Sequence, residues 1–169
     1  MSITSKEERS DWRRVALAGV VAGALSLAAT MANAGECPND KKVADGQGQK
    51  PSTAAAKDVT DVVRASTDLS KEPAAVNGRL LRLRQLDIKP GGIVPWHSHD
   101  NRPAMIYIVS GEVVEYASNC AAPIVHKAGD VASEKAGTSH WWQNTGNAPV
   151  VLISVDLFPV ANMKDQHMM

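Results

Sequence analysis

The chain has 169 residues, and its 18 basic and 18 acidic side chains give a formal net charge of zero at pH 7. A chain of this length forms one domain of ordinary size, large enough to bury a core. No basic stripe runs along the sequence, so we exclude a role in nucleic-acid binding. These limits direct attention to small-molecule and metal sites within a single domain.

Residues 1–34 have the pattern of a secretory signal peptide. A charged segment at 6–14 precedes an apolar run at 15–29, and small residues around Ala34 offer a cleavage position. The apolar run is shorter than a comfortable membrane span, so we expect membrane contact only through this peptide before cleavage. A retained anchor is the alternative.

The export route has two candidates. Arg13 and Arg14 precede the apolar run, which is compatible with twin-arginine export. Trp12 stands where that signal usually carries Ser or Thr, so we favour the general secretory route. Either route predicts a periplasmic or secreted protein.

Two cysteines, Cys37 and Cys120, lie in the part of the chain that would be exported. Disulfides form and persist in such compartments, so we predict that the two are bonded, with free thiols as the alternative.

The region that follows the signal peptide divides by composition. Residues 35–57 are polar, small and poor in large apolar side chains, which predicts a flexible arm. Residues 58–69 contain spaced valines and are read as either an edge strand or a helical turn. The main domain therefore covers 58–169, with a core at 79–158.

Short apolar runs separated by turn residues fill the core of the domain, which predicts an all-β sandwich or barrel. The predicted strands cover 81–88, 93–99, 104–109, 112–116, 124–126, 139–144 and 150–158. In the first of these, Leu81 and Leu83 are out of phase with Leu86 and Ile88. We therefore predict a β-bulge near Gln85 that brings both pairs to one face.

Three of the five histidines are the candidate metal ligands. His97 and His99 are two residues apart on a predicted strand, so their side chains lie on the same face. Two imidazoles suit a transition metal, and His140 on a later predicted strand is the best candidate for a third ligand.

These residues and their flanking glycines resemble the two motifs of the cupin family. Gly91, His97, His99 and Gly111 are in register with the first motif, and Gly129, Gly137, His140 and Asn144 are in register with the second. The resemblance covers about residues 79–158. It implies a single-domain cupin β-barrel of the jelly-roll type, with a metal bound by His97, His99 and His140.

One position departs from the family in a way that affects the metal. The first motif normally carries a Glu ligand, and Ala104 stands there in this chain. The loss of a hard oxygen donor makes manganese less favourable and iron(II), nickel, copper or zinc more favourable, with iron(II) preferred. Asp100 is a weak alternative as a fourth ligand.

Strand alternation also predicts a pocket for a small-molecule ligand beside the metal. Ala104, Ile106 and Ile108 share one strand face, and Trp142 and Asn144 share the face of His140. Glu112 and Glu115 are interpreted as solvated strand positions, with an acid–base role as the alternative. His126 is interpreted as an ordinary strand or turn histidine, with a fourth metal ligand as the alternative.

The resemblance to three-histidine cupins implies a small-molecule oxidoreductase, dioxygenase-like, although no catalytic residue is assigned. The alternatives are a non-catalytic cupin that binds or senses a metal or small ligand, and a metal-free structural cupin. For the structural cupin, the resemblance implies a homodimer formed through the sheets as one option; the oligomeric state is left open.

Overall fold

The computed structural model describes residues 35–161 as an antiparallel β structure with a nearly closed barrel sheet. Its strands are β1 (Lys57–Asp68), β2 (Arg79–Ser98), β3 (Ala104–Ser110), β4 (Glu112–Ala117), β5 (Ile124–Lys127), β6 (Val131–Glu134), β7 (Ser139–Gln143) and β8 (Val150–Pro159). The strand order is β5-β4-β7-β2-β8-β3-β6, and β1 pairs with β2 outside this path. The all-β barrel prediction is confirmed. No helix within residues 35–161 is long and apolar enough to cross a bilayer.

The 20-residue strand β2 organises the sheet because it changes its partner halfway along. Its first half, from Arg79 to Ile88, pairs with β8, and its second half, from Ile93 to Ser98, pairs with β7. The change occurs around Gly91, whose φ of +74° is a conformation that favours glycine. Two backbone hydrogen bonds join this bend to Asn144, from Gly91 N to Asn144 O and from Asn144 N to Gly92 O. The bend therefore brings the end of β2 that carries the histidines against β7.

The predicted bulge near Gln85 is wrong, because β2 pairs with β8 in continuous register from Arg79 to Ile88. Arg82 and Arg84 instead face inward in phase with Leu86 and Ile88, while Leu81 is 41% exposed. Asp156 on β8 accepts two hydrogen bonds from Arg82, at 3.0 Å from Nε and 2.7 Å from Nη2. Ionic pairing therefore allows the arginines to occupy the inner face that the apolar pattern had assigned to leucine.

The hydrophobic core occupies the end of the barrel adjoining the bend in β2. Ile88, Ile108, Val113 and Val150 are fully buried there. Each such side chain stabilises the fold by about 1.5–3 kcal/mol relative to an exposed position.

Two uncertain regions of the sequence form strands in the structure. Residues that allowed either an edge strand or a helical turn form the 12-residue strand β1, which pairs with β2. Strand β6 was not among the predicted strands; it pairs with β3.

The N-terminal segment is attached to the barrel, which differs from the expected flexible arm. The predicted disulfide between Cys37 and Cys120 is confirmed, with a Cα–Cα distance of 5.8 Å. Val43 N donates to Asn119 O at 3.0 Å, and Gly48 N donates to Ser118 O at 2.7 Å. Backbone pairing and the covalent bond thus order a segment that lacks a hydrophobic core of its own. The signal-peptide prediction falls on residues 1–34 and lies outside the described residues.

Candidate metal centre

His97, His99 and His140 meet inside the barrel. His97 and His140 are cross-strand partners in the β2–β7 pair, and His99 extends from the end of β2 toward the same point. The Nε2 atoms are 3.1 Å apart for His97 and His99, 3.0 Å for His99 and His140, and 3.1 Å for His140 and His97. The three nitrogens therefore form a nearly equilateral triangle.

The opposite nitrogen of each ring is fixed by an oxygen acceptor. Nδ1 of His97 donates to the carbonyl of Pro95 at 2.9 Å, and Nδ1 of His99 donates to the carbonyl of Arg102 at 2.8 Å. Nδ1 of His140 donates to the carboxylate of Glu115 at 2.7 Å. In the neutral rings the protons are on Nδ1, so the Nε2 lone pairs converge.

This arrangement fits a bound transition metal. Nitrogen ligands about 2.0–2.1 Å from one tetrahedral or octahedral ion are roughly 2.9–3.4 Å apart, and the observed triangle lies within that interval. Three converging lone pairs repel one another unless a cation or proton lies between them. The residues that could hold the ion are therefore His97, His99 and His140.

The surroundings shift the pKa of the three imidazoles in different directions. Burial, reinforced by the charge of neighbouring His140, lowers the pKa of His99 to about 3 and that of His97 well below its usual range. Burial also acts to lower the pKa of His140, but Glu134 and Glu115 outweigh it and the pKa is raised. Without a metal, a proton on His140 would occupy the space between the three rings.

Glu115 is the main residue that sequence reasoning missed. It is 3% exposed, and its two oxygens accept hydrogen bonds at 2.7 Å from Nδ1 of His140 and from Nε2 of His126. Burial raises the Glu115 pKa, but the hydrogen bonds and charges of the two histidines outweigh that effect and lower it to about 2. Glu115 is therefore ionised and makes His140 a stronger ligand. On strand β4, Glu115 lies on the same face as the apolar residues Val113 and Ala117, and this alternation was the sequence signal for its burial.

Two aromatic contacts fix the orientation of this network. His126 is fully buried and stacks on Trp142, with ring centroids 4.5 Å apart and an interplanar angle of 17°. Trp142 in turn meets the ring of His140 edge-on at 5.6 Å. The interpretation of His126 as an ordinary strand position is thus corrected, since it supports Glu115 beneath the metal centre.

A second carboxylate, Glu134, lies on the same side of His140. Its oxygen is 3.5 Å from Nδ1 of His140, and the residue is 4% exposed. Burial and the charge of Glu115 raise the Glu134 pKa to about 7, despite the opposing effect of His140.

A cavity of about 20 Å³ adjoins the three histidines, which is room for roughly one water. Ile106 and Trp142 line it, as predicted. Ala104 and Ile108 are buried but do not line it, and the side chain of Asn144 instead donates to the carbonyls of Ile88 and Ala148. Leu86, Val94, Leu152, Arg84 and Ser154 complete the wall.

Neither Ala104, at the position of the family's Glu ligand, nor Asp100, the weak alternative, supplies a fourth ligand. Ala104 is the cross-strand partner of both Glu134 and Asp156. Asp100 accepts a hydrogen bond from Gly137 N at 2.8 Å and so stabilises a loop. The centre therefore has three nitrogen ligands from the protein.

A buried charged cluster flanks the cavity. It contains three arginines, Arg82, Arg84 and Arg102, and two aspartates, Asp61 and Asp156. Nε of Arg84 is buried and has no hydrogen-bond partner among the described residues. Burial lowers the Arg84 pKa, against the opposing charges of Asp61 and Asp156. The three-histidine site is thus bordered by the guanidinium of Arg84 on this side and by carboxylates beyond His140.

The comparisons with known proteins agree with this geometry. The family model for the cupin domain matches residues 84–156. The chain is 34% identical over 87 residues to the oxalate-binding protein of Thermotoga maritima, covering 52% of this chain and 69% of that protein. It is 30% identical over 79 residues to auxin-binding protein ABP19b of Prunus persica, covering 45% of this chain and 38% of that protein.

A solved structure shares the fold. KdgF from Halomonas sp. is 14% identical, with a TM-score of 0.50 over 66% of this chain and 90% of that chain. This similarity concerns the fold alone. The motif residues, the barrel and the Thermotoga relative together show that this chain belongs to the cupin family.

Proposed function

We propose that this chain is an exported cupin that binds a divalent transition metal on His97, His99 and His140 and uses the metal to hold a small anionic ligand. The observation that carries the proposal is the triangle of Nε2 atoms, 3.0–3.1 Å on each side, with every Nδ1 facing an oxygen acceptor. Such pre-orientation of imidazole ligands is typical of metal sites in proteins.

The charge beside the cavity favours an anion as the ligand. Arg84 lines the cavity, and its Nε–H has no hydrogen-bond partner among the described residues, although Asp156 Oδ2 lies 3.8 Å away. A bound divalent cation would add to the charge of this guanidinium, since the three imidazoles are neutral ligands. A small carboxylate satisfies both the cation and the guanidinium.

Oxalate is the first ligand to test. The Thermotoga relative is called an oxalate-binding protein. The cavity of about 20 Å³ has room for roughly one water, so binding of oxalate would require movement of its wall. Binding of oxalate without turnover requires only the bound metal and the guanidinium of Arg84.

A second candidate is a small-molecule oxidoreductase, dioxygenase-like. It is favoured by the position of Ala104, which leaves no carboxylate from β3 beside the three histidines. A bound iron(II) would supply Lewis-acid and redox chemistry at this point. The protein would bind and orient the substrate through Arg84 and shield it from water with Trp142 and Ile106.

Export is supported by the pattern of residues 1–34 and by the disulfide between Cys37 and Cys120. Disulfides are rare in reducing compartments. We therefore propose a periplasmic or secreted location; cell fractionation tests it.

The decisive experiment is elemental analysis of protein purified from its native compartment, followed by calorimetric titration of metal-loaded protein. Oxalate should bind, whereas oxamide, its neutral analogue of similar shape, should bind at least about tenfold more weakly. His140→Ala should abolish both metal and oxalate binding, and Arg64→Met, on the exposed part of β1, should change neither. Equal affinity for oxalate and oxamide would refute the anion site.

The same preparation separates the two candidates. Oxygen consumption by the iron-loaded protein on addition of oxalate, a diol or a phenol would favour the oxidoreductase. Binding with no oxygen uptake would favour the binding protein.

A further inference from the structure

A second, larger cavity lies between the N-terminal segment and the mouth of the barrel; we call it the arm cavity. Its volume is about 240 Å³. Cys37 and Val43 of the N-terminal segment form one wall, and Ile124 and Ala132 of the barrel form the other. The cavity therefore depends on the disulfide and the backbone pairing that fix the N-terminal segment in place.

Two buried carboxylates, Glu115 and Glu134, line the arm cavity. Glu115 already accepts two hydrogen bonds at 2.7 Å, from His126 and His140. Glu134 differs because no residue within 35–161 donates a hydrogen bond to it, although it is 4% exposed. The nearest cationic atom, Nδ1 of His140, is 3.5 Å away and directs its proton to Glu115.

A carboxylate buried without a donor is costly, because desolvation is not repaid by hydrogen bonds. Glu134 borders a cavity large enough for a small molecule, so a ligand can supply the missing donor. The positive side chains that line the cavity are Lys42 and Lys135, both solvent-exposed, and Lys42 is 3.8 Å from Glu36. The buried end of the cavity is therefore acidic, and its walls combine apolar side chains with the polar side chains of Asn119, Ser133 and Thr138.

We propose that the arm cavity binds a small primary amine. Its ammonium group would donate hydrogen bonds to Glu134, beside the charge of Glu115, and its alkyl chain would contact Val43, Ile124 and Ala132. The cavity shares Glu115 with the hydrogen-bond network of His140, but its ligand has the opposite charge to the anion proposed at the three-histidine centre.

The test uses n-butylammonium chloride as the probe and the disulfide-intact protein. Calorimetric titration should detect binding of butylammonium but not of butanol or butyrate, which match its alkyl chain without its charge. Glu134→Gln should weaken binding by at least about tenfold, as expected for loss of a charge-assisted hydrogen bond. Glu112→Gln, an exposed position on β4, should leave the affinity unchanged.

Two further variants keep the result interpretable. Val43→Trp fills the cavity from the N-terminal segment and should abolish amine binding without touching a carboxylate. His97→Ala removes a metal ligand and should leave amine binding intact, so failure of the metal proposal and failure of this one are distinguishable. Absence of butylammonium binding, equal binding of butanol, or unchanged affinity in Glu134→Gln or Val43→Trp would overturn the proposal.

Discussion

Substitution of Glu115 by Gln tests whether the buried carboxylate behind His140 strengthens the metal centre. The carboxylate accepts hydrogen bonds at 2.7 Å from His140 and His126. A Gln side chain keeps one oxygen for Nδ1–H of His140, and its amide can donate to His126 if the proton of that ring moves to Nδ1. Because Nδ1 of His126 has no partner among the described residues, this change of tautomer breaks no existing hydrogen bond.

The variant should therefore fold but bind metal more weakly. Loss of a carboxylate behind a ligand histidine typically reduces metal affinity by about 10–100-fold. That range corresponds to roughly 1.4–2.8 kcal/mol. Because the pKa of Glu115 is lowered to about 2, the carboxylate is ionised at neutral pH and its full effect is present there.

The assay is competition for zinc or cobalt(II) against a chromogenic chelator at pH 7, with circular dichroism to verify folding. Glu112→Gln on the same strand is the matched control, since Glu112 is exposed and paired only with Lys127 at 3.4 Å. A folded Glu115→Gln protein with wild-type metal affinity would show that the carboxylate only fills space.

Three other results are expected. The pKa of His140 is raised, so a metal ion must displace the proton of that ring. Metal affinity should therefore increase by up to about tenfold per pH unit below that pKa. A metal affinity that does not change between pH 5 and 7 would contradict this. Asp156→Asn removes the carboxylate that accepts two hydrogen bonds from Arg82. The free energy of unfolding, measured in urea, should fall by about 3–5 kcal/mol. A loss below about 1 kcal/mol would mean that the remaining groups compensate. Replacing both Cys37 and Cys120 by Ser opens a loop with a sequence separation of 83. This should destabilise the fold by up to about 4.5 kcal/mol. An unchanged melting temperature would show that backbone pairing alone holds the N-terminal segment.

Local sequence patterns were sufficient to predict the fold class and the three candidate metal ligands. Alternation on a strand placed His97 and His99 on one face, because that relation depends only on neighbouring residues. The spacing of the two motifs identified His140 as their partner, and the structure brings its Nε2 within 3.1 Å of both. The disulfide followed from having only two cysteines in a chain expected to be exported.

The tertiary structure decided which polar residues are inside. Arg82 and Arg84 face inward only because Asp61 and Asp156 reach them from β1 and β8, and no local rule anticipates such partners. Glu115 was read as a solvated position for the same reason, since its two histidine donors are 11 and 25 residues away in sequence. Burial of a charge depends on long-range partners, whereas burial of an apolar side chain is largely visible in the periodicity.

The sequence by itself determined that this is an all-β chain with converging histidines and one pair of cysteines. Only the tertiary structure showed the carboxylates beyond His140, the arginine–aspartate cluster beside the cavity and the attachment of the N-terminal segment. These features arise where strands distant in sequence meet, because electrostatic and hydrogen-bond partners are selected by proximity in space.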